Sequence, residues 1–76
     1  MNYERRSELR RMIEASEDAL RVIRKVETEL RNKPDAFSAE RMHAMFEANA
    51  DATAATKTII TSLKTELEQL ERPSSN

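Results

Sequence analysis

The chain has no cysteine, no glycine and no tryptophan, and only two prolines, one tyrosine and two phenylalanines in 76 residues. Without cysteine, neither a disulfide nor a thiolate metal site can brace so short a chain. Without glycine, the tight turns of a β-rich fold lack their usual residue, and no phosphate-cradling loop can be built. Uncharged stretches such as Ala52 to Thr56 are short and made of alanine and threonine, so nothing is suited to span a bilayer. No apolar signal-peptide core follows Met1, and a cytoplasmic, soluble chain is the expectation. An excess of one charge is missing too. Thirteen Lys and Arg stand against fourteen Asp and Glu, a net of -1 in a chain that is 36% charged, which suits solvated helix faces better than polyanion binding.

What is present is helical periodicity. Leu9, Met12, Ser16, Ala19, Ile23, Val26 and Leu30 alternate steps of three and four, the spacing of one helix face, and Ile13 and Leu20 widen that stripe on one flank. Glu17 with Arg21, Glu27 with Arg31 and Glu29 with Lys33 add i,i+4 pairs in the favourable order. A first helix is expected over about 3–32. Residues 33–38, Lys-Pro-Asp-Ala-Phe-Ser, break it, because proline disfavours helix at the preceding residue and lacks the N–H an interior turn needs. Ser38 is a candidate N-cap, with Phe37 reaching Met42 as a hydrophobic staple; Asp35 is the competing cap.

Beyond the break, Met42, Phe46, Asn49, Thr53, Thr56, Ile60, Leu63, Leu67 and Leu70 again alternate threes and fours. A second helix is expected over about 39–71. Pro73 ends it, and residues 73–76 read as a disordered polar tail after a single domain over 1–72.

Two long helices joined by a short turn fold back on each other, so the expected fold is all-α: an antiparallel, coiled-coil-like two-helix hairpin. A turn centred near Asp35 would set Leu9, Met12 and Ile13 against Ile59, Ile60 and Leu63. It would also set Val26 and Leu30 against Met42, Met45 and Phe46, and Ser16 and Ala19 against the run Ala48 to Ala55. That middle is thin, either a close-packed seam or a groove for a third helix. Charge supports the pairing: residues 1–33 carry nine basic and seven acidic groups, residues 34–76 four and seven. Arg5, Arg6, Arg10 and Arg11 would lie beside Glu66, Glu68 and Glu71. Asn49 and Ser16 in the seam fit residues that fix register, or a wet margin.

The stripes exceed what one seam needs. Met12, Ile13, Leu20, Ile23, Met45, Phe46, Asn49, Ala52, Ile59 and Leu63 are the candidate partner or oligomer interface, completed to a four-helix bundle by a second copy or by a partner helix. The expected function is non-enzymatic protein-protein interaction: a small chaperone, adaptor or inhibitor, with no cofactor. His43 has neither a cysteine nor a glycine-rich nucleophile turn with which to form a triad. Glu40-x-x-His43 has the i,i+3 spacing of di-iron bundles, but it flanks the seam instead of pointing along it, and no metal is expected. The alternative function is a small nucleic-acid-associated regulator using Arg5, Arg6, Arg10 and Arg11 as phosphate contacts. Interleaved Glu4 and Glu8 and the scarcity of aromatics weigh against it.

A helix, a turn with Pro34 and the aromatic Phe37, then a helix with alanine-rich sequence and Ile59-Ile60-x-x-Leu63, resembles the small co-chaperones of type III secretion needle subunits. The resemblance implies a hairpin that, with a second helical chaperone, keeps an aggregation-prone subunit from polymerising.

Overall fold

A computed structural model describes residues 2–72 of the chain. The expected tail at 73–76 lies outside the described residues. Two helices, α1 over Asn2–Asn32 and α2 over Ala39–Glu71, pack against each other, and no strand occurs among the described residues. Neither helix is long and apolar enough to cross a membrane.

Local chemistry sets the ends. Lys33, whose successor is Pro34, leaves the helix, and the chain turns through bonds from Lys33 N–H to the Leu30 carbonyl (3.3 Å) and from Ala36 N–H to the Lys33 carbonyl (3.2 Å). Ser38, not Asp35, caps α2: its backbone is extended, and its hydroxyl accepts from the Arg41 N–H at 3.2 Å. Arg72, also before a proline, turns extended at ψ 133° while its N–H still reaches the Glu68 carbonyl.

The buried core consists of Leu9, Ile13, Leu20, Met42, Ile60 and Leu63, with no buried polar residue among the described residues. Along α1 the buried or half-buried Arg6, Leu9, Ile13, Ser16, Leu20, Ile23, Glu27 and Leu30 again run in alternating threes and fours, with Ser7 and Glu17 half-buried beside that line. This corrects the expected stripe: Met12, Ala19 and Val26 lie outside the seam, and Ile13 and Leu20 lie in it. The larger side chains decide the rotation of α1. Ile13 and Leu20 bury more apolar surface than Met12 and Ala19, and the helix accepts Glu27 in place of Val26 as the cost. Glu27 keeps its carboxylate on Arg31 at 2.6 Å.

Interhelical ion pairs fix the register. In heptad terms, with the seam as a and d, Arg10 pairs with Glu71 and Glu17 with Lys64 (3.3 Å) across the e flank, while Arg5 pairs with Glu66 (2.8 Å) across the g flank. Midway between these flanks Leu9 stands level with Leu67, Ile13 with Leu63, Ser16 with Ile60, Leu20 with Thr56, Ile23 with Thr53 and Leu30 with Phe46. The packing of Leu67 and Leu70 on the Leu9, Ile13 and Leu63 cluster agrees. A turn centred on Asp35 would place each residue of α1 nearly two helical turns nearer the start of α2. The shift closes the thin middle: Leu20 and Ile23 fill the space over the threonines, and Ala48, Ala52 and Ala55 do not line the seam centre.

Candidate functional site

The same heptad frame sorts the remaining surface. On α1, Met12, Ala15, Ala19, Val22 and Val26 occupy g and c positions and form a second stripe in threes and fours. On α2, Met45, Ala48, Ala52, Ala55, Ile59 and Ser62 do the same. In an antiparallel pair the g flanks of the two helices adjoin, as the bridge from Arg5 to Glu66 shows, so the two stripes merge into one face. The opposite face carries the e and b positions Arg10, Glu17, Arg21, Arg24, Lys57 and Lys64.

The apolar face is open. Met12 is 42% exposed, Val26 45%, Ile59 51% and Val22 61%. Rungs cross it in the order Arg5 with Glu66, Met12 with Ile59, Ala19 with Ala52, and Val26 with Met45, so it is high at both ends and low in the middle. A shallow hollow of about 300 Å³ continues it near the turn, between Val26, Leu30, Ala36 and Phe37. The hairpin is long and thin, 60 by 18 by 13 Å, with a radius of gyration of 17.4 Å where a compact chain of this length has about 11 Å. Its accessible surface of 6077 Å² exceeds the roughly 4,800 Å² typical of a compact 8.8 kDa monomer.

The ten expected interface residues divide between these surfaces. Ile13, Leu20 and Leu63 are buried inside the hairpin and cannot be its outer flank; Ile23 and Phe46 are half-buried seam residues. Met12, Met45, Ala52 and Ile59 do lie on the apolar face. Ala15, Ala19, Val22, Val26, Ala48 and Ala55 belong there as well, and the second three-four spacing in each helix was the signal for them. Asn49 sits in the seam, part-buried, its side-chain amide donating to the Ile23 carbonyl at 3.1 Å. Thr53 and Thr56 turn their hydroxyls back to the Asn49 and Ala52 carbonyls, so these three seam residues satisfy themselves on backbone, whereas the buried Nε of Arg6 has no hydrogen-bond partner among the described residues.

The four N-terminal arginines do not form a patch. Arg5 lies on the g flank, held by Glu66 and Glu8; Arg10 lies on the e flank, held by Glu71; Arg6 enters the seam; and Arg11 points to the outer side of α1. Hydrogen bonds that Arg5 donates to the carboxylates of Glu66 and Glu8 raise its pKa further above the ordinary value, so this guanidinium is charged at every accessible pH. Of the expected i,i+4 pairs only Glu27 with Arg31 forms, since Glu17 turns to Lys64 and Arg21 to Asp18. His43 is exposed and meets Glu47 at 3.0 Å, and no cluster of three or more His, Asp or Glu side chains able to hold a metal occurs among the described residues. No protein-family model, curated protein or solved structure matches the chain, so its reading rests on this geometry.

Proposed function

We propose that the protein is a non-enzymatic interaction module that works by packing the apolar face of its hairpin against helices of another chain. One observation carries the reading: both helices hold a second three-four stripe, and the antiparallel pairing puts the two stripes side by side, uncovered. Isolated surface hydrophobics are ordinary, whereas a contiguous apolar face rimmed by charge marks an association site. Alanines at its centre let helix axes approach to about 8 Å, and methionines at its ends adapt to what they meet.

A chaperone, adaptor or inhibitor role follows the same physics, in which a helical surface of the client is occupied by the hairpin. The resemblance to secretion co-chaperones favours the first of the three. The test is solution mass together with capture of helical partners, for the wild type and for Met12→Asp with Ile59→Asp. Association that the double variant abolishes is the expected result. A wild-type chain that stays monomeric at high concentration and binds no helical partner overturns the reading.

A further inference from the structure

We infer that the apolar face is covered by a second copy of this chain, with the turn end of one hairpin over the open end of the other. The product is an antiparallel four-helix bundle on a twofold axis. The inference rests on the interaction reading above and names its occupant.

Area is the first argument. The hairpin exposes roughly 1,300 Å² more than a compact monomer of its mass, and a standard interface removes about 800 Å² from each partner. A single such contact would therefore remove more than half of the excess.

Shape is the second. A twofold contact must match a surface to itself. The face is nearly unchanged by end-for-end reversal: the rung of Met12 and Ile59 exchanges with the rung of Val26 and Met45, and the low rung of Ala19 and Ala52 stays at the centre. In the reversed stack α1 lies on the partner's α1 and α2 on the partner's α2, all neighbours antiparallel. Alanine then meets alanine on the axis, and Met12 fills the space beside the partner's Val26.

Charge selects the direction. At the turn end the face is bordered by Glu29, Lys33 and Arg41, a net positive set in which neither Lys33 nor Arg41 makes an ion pair among the described residues. At the open end it is bordered by Arg5, Glu8 and Glu66, a net negative set. Stacking turn over turn would bring like sets together; stacking turn over open end brings opposite ones.

Because the chain has no cysteine, single substitutions report the geometry directly. The protein should have twice its 8.8 kDa chain mass by light scattering at tens of micromolar. Ala19→Cys and Ala52→Cys should each form a disulfide with its own copy under mild oxidation, and Ala50→Cys, on the opposite face, should not. Ala19→Arg with Ala52→Arg, both sites outside the hairpin core, should raise the dimer dissociation constant by at least about ten-fold, because like charges would meet on the axis. Disulfides that form only when Ala19→Cys is mixed with Ala52→Cys would overturn the stated direction. Self-linkage at Ala50→Cys alone would overturn the face. A monomer that binds a different helical chain through Met12 and Ile59 would overturn the second copy while leaving the interaction reading intact; a monomer with no partner overturns both.

Discussion

The open end of the hairpin and its turn end are held in different ways. At the open end Leu9 is fully enclosed, Ile13 and Leu63 pack with it, Leu67 and Leu70 close over them, and two interhelical ion pairs flank the cluster. In the turn half the buried side chains among the described residues are Met42 and, next to the centre, Leu20; Leu30 is half-buried, Val26 and Phe37 are exposed, and Glu27 and Asn49 occupy the seam. Covalent connection already keeps the helices together near the turn. At the open end more than fifty residues separate Leu9 from Leu63, and side chains alone must close that loop. Loop-closure entropy grows only slowly with length, so one well-packed cluster suffices to do it.

Truncation should expose that difference most strongly. Leu9→Ala is expected to cost about 3 kcal/mol of unfolding free energy and Leu30→Ala about 1 kcal/mol, read by urea denaturation at one protein concentration. Equal costs would abolish the distinction between the ends. Asn49→Ala should cost about 1 kcal/mol through the lost bond to the Ile23 carbonyl. Asn49→Leu should raise the melting temperature while broadening the seam resonances in NMR spectra, because an apolar layer tolerates register slip that the amide forbids. Ser38→Ala should cost about 1 kcal/mol, with faster amide exchange confined to the first turn of α2. The smallest effect belongs to Arg5→Ala, under about 1 kcal/mol and weaker still in high salt, since the pair with Glu66 is exposed.

Much of this was legible in the chain. The expected helices, about 3–32 and 39–71, correspond to Asn2–Asn32 and Ala39–Glu71, because Pro34, Ser38 and the residue before Pro73 act through local backbone sterics. The seam of α2 was equally clear, since Met42, Ile60, Leu63 and Leu67 leave one choice of face. On α1 two stripes overlap, sharing Leu9, Ser16, Ile23 and Leu30 and differing at Met12 or Ile13, Ala19 or Leu20, Val26 or Glu27. Periodicity cannot rank them, as both have the same period. The error carried into the candidate interface, placing Ile13 and Leu20 outside and omitting Ala15, Ala19 and Val22.

By itself, then, the sequence determined that this chain forms two long helices, where they end and that they must fold back. These follow from backbone sterics, capping and spacing, all local. Only the tertiary structure decided how far the helices slide and how α1 rotates about its axis. Those depend on Leu20 and Ile23 finding the threonines of α2 and on Arg10 and Glu17 finding Glu71 and Lys64, contacts between residues tens of positions apart. The rotation turns the second stripe of each helix to the same side, and so makes the apolar face.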